Sequence, residues 1–116
     1  MNERWNEIIK FNDQFFPGWR KNKEPIFFSN ALAGEVGEIC SLVKRFYGGG
    51  TNNRTMPLPS EMIEEAVDVF IYLVLFCESL TCDENDFDTM FEMKIRKLRQ
   101  RMSHPTLQDS SPEATP

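Results

Sequence analysis

One carboxylate constrains this chain more than any other feature. Asp68 lies inside residues 66–77, a run that is otherwise apolar. The run belongs to a helix predicted over residues 60–80, starting at Ser60 as N-cap with Glu61 and Glu64 in its first turn. Most of that helix is apolar on every side, so it must be covered all round. An ionised carboxylate there costs several kcal/mol, in order of magnitude, unless something pairs with it. No lysine or arginine lies within a helical turn of Asp68.

The rest of the chain also reads as helix. Trp5, Ile8, Ile9, Phe15 and Phe16 recur near helical spacing and predict a helix over residues 2–16, ended by Pro17-Gly18. Residues 19–25 read as a basic, turn-rich connection. Leu32, Val36, Ile39, Val43 and Phe46 predict a helix over 28–47, with Lys44 and Arg45 at the negative end of its dipole and Gly48-Gly49-Gly50 after it. Residues 51–59 form a polar loop holding Pro57 and Pro59. A last helix starts after Asp83 or Asp86 and runs to Met102, with Phe87, Phe91, Ile95 and Leu98 on one side. No segment alternates like a strand. From Ser103 the chain is rich in Ser, Pro and Thr and reads as a disordered tail over 103–116. The expectation is therefore an all-α, four-helix bundle-like domain over 1–102. A chain of 116 residues covers its third helix poorly, so a dimer or a dimer of dimers is expected.

Asp68 is not isolated. Two carboxylate pairs stand at i,i+3: Glu35 with Glu38, and Glu65 with Asp68. Residues three apart share one helical face, so each pair aims in one direction. Two such helices packed antiparallel would gather four carboxylates around one cavity. One Glu-x-x-Glu pair is commonly a solvated face. Here, however, both pairs sit beside apolar stripes. Four clustered anions demand a cation, and oxygen-only ligands favour Mg²⁺, Mn²⁺ or Ca²⁺ over zinc. Gly34 and Gly37 lower helix propensity beside the first pair, which suits close approach of a neighbouring helix or a ligand.

Composition excludes several alternatives. The formal net charge is −5, which argues against a nucleic-acid surface. The single histidine, His104, excludes a histidine-rich zinc site and the Glu-x-x-His pattern of di-iron bundles. Cys40, Cys77 and Cys82 form no Cys-x-x-Cys pair and read as buried free thiols in a reducing cytosol. The charged N-terminal residues do not resemble a signal peptide, and the run over 66–77 is too short to span a bilayer. A cytoplasmic protein with no membrane partner is expected.

The words around the pairs are Ala-Leu-Ala-Gly-Glu-Val-Gly-Glu and Glu-Glu-Ala-Val-Asp-Val-Phe-Ile-Tyr-Leu-Val. In these the chain resembles the MazG-type all-α nucleoside triphosphate pyrophosphohydrolases, whose superfamily includes the dCTP pyrophosphatases and dimeric dUTPases. Their signature is Glu-x-x-Glu, a variable spacer, then Glu-x-x-Asp. The resemblance spans residues 2–102 by helix order and is specific over 28–80. It implies a homodimer or homotetramer that hydrolyses a nucleoside triphosphate to the monophosphate and pyrophosphate. It implies Mg²⁺, with Mn²⁺ as a substitute, held by Glu35, Glu38, Glu65 and Asp68. Of the glutamates, Glu38 first and then Glu65 would position or deprotonate the attacking water.

Further positions match the dCTP pyrophosphatase branch. Trp19 stands sixteen residues before Glu35, where those enzymes place a tryptophan near the base, and Pro25 also matches. Tyr72 matches a tyrosine near the nucleotide. Lys94 and Arg101 match a basic pattern on the last helix, with Lys94 meeting phosphates. Read without the resemblance, Trp19 and Tyr72 are core or interface aromatics and Lys94 belongs to a solvated face. Two positions depart from the branch: Leu98 stands where asparagine is usual, and Lys23 where histidine is. Both bear on the base, so a pyrimidine substrate such as dCTP, and a role in cleansing the nucleotide pool, rest on the remaining matches. Two other readings stay open: a non-enzymatic helical module with a structural divalent ion, and a pyrophosphohydrolase of another diphosphate such as phosphoribosyl-ATP.

Overall fold

A computed structural model describes residues 2–48 and 56–104. Its elements are α1 (Asn2–Phe15), α2 (Trp19–Asn22), α3 (Pro25–Tyr47), α4 (Pro59–Ser79) and α5 (Glu84–Ser103), with no strand among the described residues. The all-α expectation is met. Of the tail expected over 103–116, residues 105–116 lie outside the described residues, as do residues 51–55 of the loop expected over 51–59. The helices α1 to α4 make one compact unit and α5 a second.

Local chemistry explains the boundaries, and some differ from expectation. α1 stops before Pro17, and Gly18 adopts the left-handed conformation at φ 78°, which glycine takes without steric cost. The chain then makes a further helical turn, α2, within what was expected to be a basic, turn-rich connection. α3 begins at Pro25 rather than residue 28, because proline at the first helical position is already set for the helix. Pro59 does the same for α4. Ser60 is consequently inside the helix, and the cap is Leu58, whose backbone N–H donates to the Glu61 carboxylate at 2.7 Å. α5 opens with a reciprocal box in which Asp83 and Asp86 each accept the other's backbone N–H at 3.0 Å.

The far end of α4 is capped less comfortably. The Cys82 N–H reaches the Cys77 carbonyl and the Thr81 N–H that of Glu78, the two bonds of a Schellman turn. Thr81 holds the left-handed position at φ 62°, where a β-branched side chain is disfavoured.

The first unit is built around Trp19, Phe28 and Leu75, with Ile8, Ile9, Ile71, Tyr72 and Phe76 packed on them. α3 packs chiefly on α4, and α1 also meets α4. Within this chain α4 buries only Val74 and Leu75, while Ile63 and Val67 stay 65% and 50% exposed. The expected all-round cover of α4 is therefore not supplied by the described residues. Cys40 is exposed, and Cys77 and Cys82 half-buried, so the thiols are free as expected but not buried. By length and composition alone α3 would pass for a membrane span, yet it carries Glu35 and Glu38, and a carboxylate at a bilayer centre is costly.

A hydrogen-bond relay ties the short α2 to its neighbours. Trp5 Nε1 donates to Glu78 Oε2 and Arg20 Nη2 to Glu78 Oε1, both at 2.8 Å. Arg20 also reaches Asp13, which accepts from Trp19 Nε1 at 2.8 Å. Both tryptophan N–H groups thus end on carboxylates, and the Arg20 guanidinium lies 4.4 Å over the Trp19 ring.

Candidate active site

The carboxylates come from the middles of α3 and α4. Carboxylate oxygens of Glu35, Glu65 and Asp68 lie within 4.8 Å of one another, and all three residues are half-buried. Glu38 stands one turn along α3, exposed and outside that group. Its charge still reaches Glu65. The Glu65 carboxyl is held above its ordinary pKa of 4.5, first by desolvation, then by hydrogen bonding with Glu35, then by the charges of Glu35, Asp68 and Glu38. None of the ion pairs among the described residues involves these four. A cluster of unneutralised anions with an all-oxygen donor set fits a hard divalent cation. No neighbouring helix among the described residues approaches closely at Gly34 or Gly37, where an added Cβ would meet open space.

A cavity of about 1250 Å³ adjoins this cluster, with Asp68 in its wall. That is ample for a nucleotide, since ligand pockets typically run to roughly 300–1,000 Å³. α4 contributes Ile71, Tyr72 and Leu75 as well, so the register that sets Asp68 toward the cluster also places Tyr72 one turn later on the cavity. Trp19 and Phe28 form the floor, packed edge to face with ring centroids 5.5 Å apart. Lys23, at the place of the branch histidine, lines the cavity with its ammonium 4.6 Å over Phe27.

Of the residues expected in the site, Glu35, Glu65 and Asp68 converge, and Trp19 and Tyr72 share the cavity that Asp68 borders. Lys94 and Arg101 lie on α5, Lys94 exposed and Arg101 half-buried, in the separate second unit. Reading by spacing overlooked Asn12 and Asp13. Asn12 falls on the stripe Trp5, Ile8, Phe16, and a polar residue on an apolar stripe was the available signal. Asp13 had none, because its bond to Trp19 depends on the turn at Gly18.

Neither the curated proteins nor the solved structures gave a match. The family model described as the MazG nucleotide pyrophosphohydrolase domain matches residues 25–106, from the start of α3 to beyond the end of α5. That stretch holds both carboxylate pairs and well over half of the chain, and on it the protein belongs to the MazG nucleotide pyrophosphohydrolase family.

Proposed function

We propose that this protein is a Mg²⁺-dependent pyrophosphohydrolase of (deoxy)nucleoside triphosphates, with a pyrimidine such as dCTP as substrate, acting to cleanse the nucleotide pool. The broader statement, a hydrolase acting on nucleoside triphosphates, follows from family membership. The observation that carries the finer reading is the junction at Asp68. This carboxylate belongs both to the triad and to the wall of an aromatic cavity. A base held against Trp19 and Tyr72 would therefore project its phosphates toward the carboxylates.

In this reading Glu35, Glu65 and Asp68 would hold the ion, with Glu38 the fourth ligand that the resemblance implies. A divalent cation polarises phosphoryl oxygens and neutralises charge developing in the transition state. Glu38, exposed beside the triad, takes the water proton or aligns the water, with Glu65 the other candidate. The water oxygen bonds to the α-phosphorus, the bond to the bridging oxygen breaks, and pyrophosphate leaves. Lys94 and Arg101 are assigned to the phosphates by resemblance. Exposed apolar residues of α1 and α4, among them Phe11, Ile63 and Val67, support a homodimer or homotetramer. The free thiols suit a cytoplasmic setting.

The test is pyrophosphate release from a panel of ribo- and deoxyribonucleoside triphosphates, with and without Mg²⁺, beside Glu38→Gln. Mg²⁺-dependent release with monophosphate as the other product, and its loss in the variant, is the expected result. Silence across the panel would overturn the triphosphate reading.

A further inference from the structure

We propose that Asn12 is the residue that reads the edge of the base, a role that rests on the cavity beside Asp68 being the nucleotide site. Asn12 is only 8% exposed, and among the described residues it is the one buried polar side chain. It lines the cavity, together with Ile8 and Phe16 one turn to either side of it. Its side-chain amide makes no hydrogen bond to any described residue, although its backbone carbonyl accepts from Phe16. Among the described residues only Arg45 Nε is fully buried without a partner, so the small exposed part of Asn12 includes its amide atoms, which a ligand in the cavity can reach, whereas leucine at this position would simply continue the apolar stripe. The amide makes sense when a ligand supplies the missing partners.

The neighbouring polar groups narrow the assignment. The Trp19 N–H is already donated to Asp13, so this indole offers a ligand no hydrogen bond. Lys23 is engaged over Phe27. Asn12 carries a donor and an acceptor side by side, the complement of a base edge with an adjacent acceptor and donor. Uracil presents N3–H beside O4, and cytosine N3 beside its amino group. These two edges have opposite polarity. No described residue fixes which way the amide faces, so a half-turn of the amide satisfies either. Asn12 thus selects for the presence of such an edge and is indifferent to its polarity. α1 lies outside the matched residues 25–106, so this selectivity belongs to the chain's own N-terminal wall.

The experiment compares the full chain with Asn12→Leu in Mg²⁺ buffer. Calorimetric titration measures binding of dCMP, dUMP and the 2-pyrimidinone deoxynucleoside monophosphate, which keeps the ring and lacks the exocyclic group. Thermal unfolding is followed on both proteins. The expected wild type binds dCMP and dUMP within about threefold of each other, and the 2-pyrimidinone compound on the order of tenfold more weakly, as a site built to hydrogen-bond its ligand should. Asn12→Leu should level all three while its Tm stays the same or rises. The proposal falls if the wild type binds all three alike or binds none, if Asn12→Leu keeps the discrimination, or if its Tm drops while discrimination persists. Binding is read without turnover, so failed pyrophosphate release sinks the hydrolase reading and leaves this result standing.

Discussion

The two walls of the site are built on different physics. On one side α3 and α4 bring Glu35, Glu65 and Asp68 together with no ion pair to any of them among the described residues, so the wall carries concentrated negative charge. On the other side α1 and α2 present packed aromatics, one buried amide, and an indole fixed by Asp13, Arg20 and Glu78. The carboxylate wall lies inside the matched family residues, and the aromatic wall lies mostly before them. On the proposed reading, charge that a phosphate-bound cation would neutralise belongs to the reaction. Shape and hydrogen bonding in a pocket belong to the choice of base. On the proposed reading the difference puts the chemistry on α3 and α4 and most of the selectivity on α1 and α2, with Asp68 and Tyr72 of α4 bordering both.

The hardest blow to this separation is to disable one wall and watch the other. Asp68→Asn should lower kcat by on the order of 10³-fold, as loss of a group stabilising transition-state charge does. It should leave calorimetric discrimination among nucleoside monophosphates in place. Loss of both together would show that Asp68 also shapes the pocket.

The aromatic wall is broken from behind by Glu78→Ala. Glu78 is 14% exposed and accepts from both Trp5 and Arg20. Removing it leaves a buried indole N–H unpaired, at a cost of about 2 kcal/mol in urea unfolding. Because Arg20 also braces Asp13 and the Trp19 ring, KM should rise more than kcat falls. An unchanged KM would separate the relay from the pocket.

A third change tests whether strain outside both walls matters to either. Thr81→Gly relieves a left-handed β-branched residue and should add about 1 kcal/mol of stability with activity unaltered. A change in KM or kcat would mean that the end of α4 is coupled to the site.

The smallest effect expected is on metal-free stability. The folded protein holds the Glu65 proton more tightly than the unfolded chain does, so this group's contribution declines as pH rises from about 4.5 through its raised folded value. Glu65→Gln removes that repulsion. Without metal it should raise Tm slightly at pH 7 and flatten the loss of Tm between acid and neutral pH. Added Mg²⁺ should raise the Tm of the wild type and not that of the variant. A fall in metal-free Tm at pH 7 would mean that Glu65 has a compensating partner.

The carboxylate wall was legible early because two i,i+3 pairs beside apolar stripes are a local pattern, and helical geometry turns spacing into direction. Tyr72 was marked by resemblance, and the register of α4 then carries it to the cavity one turn after Asp68. The helix starts were less legible. Pro25 and Pro59 read as loop residues, yet each opens a helix because its φ is already helical. Trp19 was marked by resemblance, but its partner Asp13 depends on the left-handed Gly18 folding α2 back onto α1. Asn12 escaped notice because an isolated polar residue on a stripe means little until its burial and missing partner are seen.

By itself the sequence determined the all-helical class, the two carboxylate pairs and the need for a cation, since periodicity and unpaired charge are properties of short segments. Only the tertiary structure decided that Glu35, Glu65 and Asp68 converge while Glu38 stands apart, and that Asn12 is buried with no hydrogen bond from its amide to any described residue. Those outcomes depend on how α1, α3 and α4 pack, and packing is fixed by contacts between residues far apart in the chain.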